Sequence, residues 1–191
     1  MNELVYIDEH DLFGINYYWN RMESYRMSEK ELNDIGFFDD RVQVHKDIIA
    51  PLQKVDQKFQ ERGYRLYVKE GYRPKALYEL AYKKRVEKYG KEDTDRLLNM
   101  NSMPHANGKS VDVTLWNPQE SKEVYLRNGE DGADALFIDF YKGKTDEKSK
   151  WYREMQEYVI GVMQDNGFRL GKLNEYFHFD FRPVEPRNYP S

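Results

Sequence analysis

Apolar residues recur every three or four positions through Val44, Ile48, Leu52, Val55 and Phe59 and stop at Gly63, which predicts an amphipathic helix with a C-terminal glycine. Pro51 either kinks that helix or marks its true first turn. Residues 64–69 alternate and are rich in β-formers, so they read as a strand. The strand runs into Glu70-Gly71-Tyr72-Arg73-Pro74, a turn imposed by Gly and Pro. A second helix is predicted over about residues 75–89, with Leu77, Leu80 and Ala81 inward. Residues 110–116 alternate strictly, with Val111, Val113 and Leu115 on one face and Asp112, Thr114 and Trp116 on the other.

Residues 146–166 predict a third helix, with a stripe of Trp151, Met155, Val159 and Val162 or Met163 that ends at Asn166-Gly167. The last clear strand covers residues 177–182. It places Phe177, Phe179 and Phe181 toward the core and His178, Asp180 and Arg182 on the opposite face. Residues 1–40 have weak periodicity, and no element is assigned there. Helices interrupt the strands irregularly, which favours α+β over a regular βαβ repeat. With no repeat, low-complexity tract or Pro/Gly linker, residues 1–191 read as a single domain.

Composition narrows the function classes. The longest apolar run, near residues 158–163, contains a Gly and falls well short of the ~20 residues that cross a bilayer, so no membrane span is expected. The first residues have neither a basic segment nor an apolar stretch, so no signal peptide is expected. A cytoplasmic location is the default; a periplasmic or secreted one follows if a leader has been removed. The net charge is −4, with no dominant basic face, and nucleic acid is not an expected partner. The densest basic stretch, Lys83-Lys84-Arg85, precedes Glu87, Glu92, Asp93 and Asp95 and reads as a solvated helix face. The absence of Cys excludes disulfide scaffolds, thiol nucleophiles and Cys-based zinc sites, so any metal site must be built from His and carboxylate. The 16 Tyr and 10 Phe supply core volume that aliphatic residues do not.

Two of the four His residues sit beside acids in turn-bounded contexts. In Ser102-Met-Pro-His105-Ala-Asn-Gly108-Lys-Ser-Val-Asp112, Gly108 lets the chain reverse so that imidazole and carboxylate converge. In Glu175-Tyr-Phe-His178, Glu175 must leave the strand through a turn or bulge to point where His178 points. His105, Asp112 and His178 form a donor set suited to a catalytic zinc ion with an open fourth position. Glu175 suits a general base, and Arg73 suits an oxyanion or carboxylate partner. Each motif alone reads first as a hydrogen-bonded pair rather than a metal site, and Arg73 alone also reads as a turn anchor. His45 reads as structural and His10 as a surface residue.

The order Gly71-Tyr72-Arg73-Pro74, His105-x-x-Gly108-x-x-x-Asp112, Glu175-x-x-His178 resembles the zinc peptidases of the M15 family, most of all the VanX-type D-alanyl-D-alanine dipeptidases. Supporting segments are APLQKVDQKFQERGYRLYVKEGYRP, HANGKSVDVTLW and MQDNGFRLGKLNEYFHF. The resemblance implies one Zn2+ held by His105, Asp112 and His178, with Glu175 as catalytic base and Arg73 as the cation that steadies the transition state. It also implies a central antiparallel sheet flanked by helices, as in D,D-peptidases and the Hedgehog signalling domain. Met103 stands where the family has Ser, leaving Ser102 as the nearest serine for substrate; Ser110 replaces an Ala, and Tyr176-Phe177 a Trp-Trp. The substrate's amine is expected to meet Asp139 or Asp134, with Asp139 preferred. Tyr72, Trp116, Tyr176 and Phe177 are expected to wall the pocket.

The leading expectation is hydrolysis of D-Ala-D-Ala or a similar small D-amino-acid dipeptide. The alternative is a D,D- or L,D-carboxypeptidase acting on peptidoglycan stem peptides. A non-catalytic zinc-containing binding module is the third reading, disfavoured by Glu175. An amine-binding acid in a closed end marks the dipeptidase, and an open groove marks the carboxypeptidase.

Overall fold

The computed structural model describes residues 3–98 and 100–182. In chain order the elements are β1 (Leu4–Tyr6), β2 (Phe13–Gly14), α1 (Tyr17–Asn20), α2 (Glu29–Asp34), β3 (Gln43–His45), α3 (Ile49–Gln60), β4 (Arg65–Glu70), α4 (Lys75–Tyr89), α5 (Lys91–Leu97), β5 (Ser110–Asn117), β6 (Lys122–Val124), α6 (Glu147–Asp165), β7 (Phe168–Leu170) and β8 (His178–Phe181). Short 3-10 turns lie between several of them. The chain is thus α+β, with helices flanking a six-stranded sheet in the order β2-β4-β5-β8-β7, while β6 also pairs with β5. Every pair in that sheet is antiparallel except the edge pair β2–β4, which is parallel. β1 and β3 form a separate two-stranded ribbon.

The alternation predicted for β5 decides which face is covered. Val111, Val113 and Leu115 are buried together with Leu66 and Val68 of β4 and Phe179 of β8. They pack against Leu52, Val55 and Phe59 of α3 and Val159 and Met163 of α6. The opposite face carries Asp112 and His178. A second apolar cluster joins Leu77, Tyr78 and Ala81 of α4 to Tyr18, Met27 and Leu32, so the N-terminal segment builds a wall on the uncovered side.

Three sequence expectations shift. Val44 belongs to β3 rather than to the helix, and Pro51 sits in the first turn of α3, where backbone N–H groups have no intrahelical acceptor. The inward stripe of α6 is Tyr152, Gln156, Val159 and Met163, whereas Trp151 is 40% exposed. Both stripes have helical spacing; Tyr152 wins because its ring packs on buried Tyr141. His45 ends β3 and caps the following 3-10 turn, its Nδ1 accepting from the Asp47 N–H at 3.2 Å, a structural role as expected though not on a helix. Among the described residues, no helix is long and apolar enough to cross a membrane.

Asp56 ties α3 to β4. Its buried carboxylate accepts from the Leu66 N–H at 2.7 Å, Gln60 Nε2 at 2.7 Å and Arg65 Nε at 2.9 Å. Asp56→Ala strands the buried Leu66 N–H and is expected to cost about 2–3 kcal/mol in urea unfolding, with Asp56→Asn costing less. Equal stability of Asp56→Ala and the parent would remove this tie from the account of the fold.

Candidate metal centre

Asp112 and His178 stand directly opposite each other in the β5–β8 register. Since Val111 and Val113 point to the core, Asp112 projects from the uncovered face. His105 comes from a 3-10 turn, Pro104–Asn107, just before β5. Gly108 follows with φ +72°, and its carbonyl accepts from the His45 N–H at 2.8 Å. A Cβ there would lie 2.8 Å from the His45 nitrogen, so only glycine lets the turn pack on β3 and fold His105 back over Asp112.

Each of the three side chains offers a ligand atom, and these lie within 4.8 Å of one another. Asp112 Oδ1 is 2.7 Å from His178 Nδ1 and 3.3 Å from His105 Nε2; the two imidazole nitrogens are 3.1 Å apart. The far nitrogens are oriented by fixed acceptors. His105 Nδ1 lies 2.8 Å from the Gly71 carbonyl, and His178 Nε2 lies 3.6 Å from Asp180 Oδ1. Asp180 is itself held by Ser110 Oγ at 2.7 Å and Arg182 Nη2 at 2.5 Å. With protons on the far nitrogens, both near nitrogens present lone pairs to the centre. Two neutral imidazoles and one carboxylate, with the cleft beyond them, fit a metal ion that keeps one position open. Ser110 thus serves to fix Asp180.

Space is as tightly set as charge. A Cβ on Gly171 would fall 2.2 Å from His178 Cδ2, so any side chain there displaces the imidazole. Glu175 reaches the site as anticipated, through a turn: its carbonyl accepts from the His178 N–H at 3.3 Å, and Asn174 before it has φ +54°. Burial, reinforced by the charge of Asp112, pushes the Glu175 carboxyl up to about 7 against the pull of His178, Arg73 and Arg85. Burial alone would lower His178, but its hydrogen bond to Asp112 and the Asp180 carboxylate on its other side push it up to about 10. Asp112 goes the other way: burial raises it, yet its two imidazole partners hold it well below the usual carboxylate range.

Arg73 is buried and tied to the histidine loop, its N–H donating to the His105 carbonyl at 3.1 Å. Its Nε and Nη2 donate to Glu70 Oε1 and Oε2 at 2.6 and 2.5 Å, leaving Nη1 uncommitted to that pair. The guanidinium lies near the rings of Tyr18 and Tyr78, and the Tyr78 hydroxyl accepts from the His105 N–H at 2.9 Å. A β-bulge makes this possible. Val68 pairs with Val113 and Glu70 pairs with Asp112, so Lys69 is an extra residue. Without it Glu70 would alternate to the core side with Leu66 and Val68; with it, Glu70 joins Asp112 on the open face.

These groups line one cleft of about 1130 Å3, walled by Tyr18, Tyr176, Phe177 and Leu126. Ser102 lines it; Tyr72 and Trp116 do not. Trp116 packs instead against Phe13 and Tyr67. Asp134 and Asp139 are also outside the lining: Asp134 pairs with Arg96, and Asp139, which is 78% exposed at its side chain, lies 3.8 Å from Lys142. Asp134 lies within the short 3-10 segment Ala133–Leu136 and Asp139 just beyond it, an arrangement with no periodic signature in the sequence. Sequence reasoning missed Glu70, Tyr78 and Gly171. Glu70 had a signal, an acid three residues before Arg73, but the bulge that aims it did not.

No family model and no curated protein sequence matches the chain. Among solved structures it aligns with the LD-carboxypeptidase LdcB at 14% identity and TM-score 0.49, over 74% of this chain and 60% of that one. It aligns with the vancomycin-resistance D,D-pentapeptidase VanY in complex with Zn(II) at 14% identity and TM-score 0.48, over 73% and 72%. A third is the L,D-carboxypeptidase DacB from Streptococcus pneumonia, at 19% identity and TM-score 0.42, over 70% and 64%. The chain thus spans about three-fifths of the first of these proteins.

Two outcomes test this geometry. Gly171→Ala is expected to weaken metal binding about 10–100-fold by displacing His178, read by chelator competition; unchanged affinity would mean that His178 is not a ligand. Glu175 is expected to reveal itself in stability. Burial pushes its carboxyl up from the ordinary 4.5 to about 7, so the metal-free native state binds the extra proton between those values and loses stability as pH rises through that window. Glu175→Gln should therefore raise the Tm of the metal-free protein at pH 8 by roughly 4–8 °C, with the difference vanishing below about pH 4.5.

Proposed function

We propose that the chain is a zinc-dependent peptidase that releases the C-terminal D-amino acid of a peptidoglycan stem peptide, as a D,D- or L,D-carboxypeptidase. The observation that carries this reading is the His105, Asp112 and His178 donor set, with Glu175 beside it, on the floor of an open cleft of about 1130 Å3. A cleft of that size, at the upper end of small-ligand pockets, has room for a peptide.

The acids of the cleft point the same way. Glu70 is paired with Arg73, Glu123 with Lys69 at 2.5 Å, and Asp180 with Arg182; Asp112 belongs to the donor set. Glu175 is needed at the scissile bond. A free dipeptide would bury an ammonium with no acid available to it among the described residues, which is costly. The two acids expected to hold that ammonium, Asp134 and Asp139, are elsewhere. The carboxypeptidase alternative is therefore preferred to the dipeptidase.

A bound zinc ion would supply Lewis acidity and make water nucleophilic near neutral pH. Glu175 takes a proton from the attacking water and delivers it to the leaving nitrogen as the C–N bond breaks, one proton gained and one lost per turnover. Its raised pKa suits both halves of that task. Arg73, steadied by Glu70 and two tyrosine rings, offers Nη1 to the negative charge that develops on the former carbonyl oxygen. Tyr176 and Phe177 flank the reacting groups and limit water access.

The zinc-loaded chain is expected to release D-Ala from N-acetylated peptides ending in D-Ala-D-Ala or L-Lys-D-Ala faster than it cleaves free D-Ala-D-Ala. Glu175→Gln should keep its zinc and lose at least about 1,000-fold in kcat. A loaded protein inert on all three substrates would overturn the reading, and faster cleavage of the free dipeptide would restore the dipeptidase.

A further inference from the structure

α4 sends one stripe toward the cleft, Tyr78, Ala81 and Arg85, at spacings of four residues or fewer. Tyr78 and Ala81 are buried, and the Tyr78 hydroxyl meets the His105 backbone, so this stripe faces the metal loop. Its third member is a cation where packing alone would place an apolar side chain. Arg85 had read as part of a solvated basic face with Lys83 and Lys84. Instead it is half-buried and lines the cleft, Lys84 pairs with Glu31 at 2.8 Å, and Lys83 stays exposed.

Arg85 lacks the fixed partners that Arg73 and Arg127 have. It has no ion pair among the described residues, and its Nε is buried with no hydrogen-bond partner. Its guanidinium carbon stands 5.3 Å from the Tyr89 ring centroid, a contact that satisfies no donor. Leaving a charged donor desolvated and unpaired is unfavourable, and an anion entering the cleft relieves that penalty. By contrast, Arg73 has two nitrogens committed to Glu70, and Arg127 donates Nη1 to the Asn128 and Gly132 carbonyls. Arg73 and Arg85 both line the cleft with Glu175, and the charges of both act on its carboxyl, so Arg85 stands within electrostatic reach of that group.

We propose that Arg85 receives the terminal α-carboxylate of the amino acid being released, making it the residue that reads a free C-terminus. This rests on the carboxypeptidase reading above. The chemistry fits the position: Glu175 protonates the leaving nitrogen, and one carbon separates that nitrogen from the carboxylate. The cation that holds the carboxylate must therefore stand close to Glu175. The planar guanidinium matches a carboxylate in bidentate fashion, and with no ion pair among the described residues its fork is left for the ligand. An orphaned donor in the free protein becomes a satisfied one in the complex.

The test compares an N-acetylated peptide ending in D-Ala-D-Ala with its C-terminal amide, on zinc-loaded wild type, Arg85→Gln, Arg85→Lys and Lys83→Gln. Zinc content and circular dichroism establish that each variant is folded and loaded. Wild type and Lys83→Gln should prefer the acid over the amide by about 30–100-fold in kcat/KM. Arg85→Gln should lose that preference, mostly through KM on the acid, and change by less than about threefold on the amide. Arg85→Lys should recover part of it, because a point charge remains without the fork. An Arg85→Gln variant with the wild-type acid/amide ratio, or with equal losses on both peptides, overturns the assignment. If wild type cleaves neither peptide, the peptidase reading fails by itself. N-acetyl-D-alanine and its amide, titrated calorimetrically into the loaded proteins, then decide. A preference for the acid in wild type that disappears in Arg85→Gln supports Arg85 as carboxylate receptor, and no difference between the two proteins rejects it.

Discussion

Glu70 of β4, Asp112 of β5 and His178 of β8 occupy one row across three neighbouring strands, fixed by backbone register. Three polar groups side by side on a sheet face can persist only if each has a partner above the sheet. Arg73 serves Glu70, and the His105 turn brings a second imidazole over Asp112 and His178. The loops around the site are therefore constrained by the row beneath them. The Gly-Tyr-Arg-Pro turn must return over β4, and the turn before β5 must fold back through Gly108. The covered face supports this arrangement from below, since the neighbours of Asp112 on β5 are buried under α3 and α6.

Electrostatics then sorts the carboxylates into different roles. Glu70 is neutralised by a bidentate arginine, Asp112 is held ionised by imidazoles, and Asp180 serves as an orienting acceptor behind His178. Glu175 alone is left partly buried beside another acid, and its affinity for protons rises accordingly. Local environment, not residue type, separates these four acids: one clamped by an arginine, one held ionised between imidazoles, one set behind His178 and one with a raised affinity for protons.

Much of this was legible in the chain. The alternation at residues 110–116 placed Asp112 opposite the core, and the Phe-x-Phe-x-Phe pattern placed His178 and Asp180 on that same side. The three motifs named the donor set before any geometry was available. Features that depend on a count of one residue were not legible. The bulge at Lys69 reverses the face of Glu70, and the helical stripe of α6 slips by one position to choose Tyr152 over Trp151. The cleft wall contributed by residues 17–32 was equally hidden, because its tyrosines pack on α4 through long-range contacts with no periodicity of their own. Arg85 was misread because a run of basic residues looks solvated until the helix is rotated against its neighbours.

The bulge in β4 also has a bearing on how this sequence can vary. Strand length is usually forgiving at an edge, but β4 lies inside the sheet and its six residues carry a parity: five would deliver the Glu70 carboxylate into the aliphatic layer beside Leu66 and Val68. A single-residue deletion there would therefore act on solubility and folding before it acted on chemistry, and would leave the buried Arg73 without its counter-ion. The segment from Arg65 to Arg73 behaves as a ruler, whose length is conserved by physics even where its letters can change.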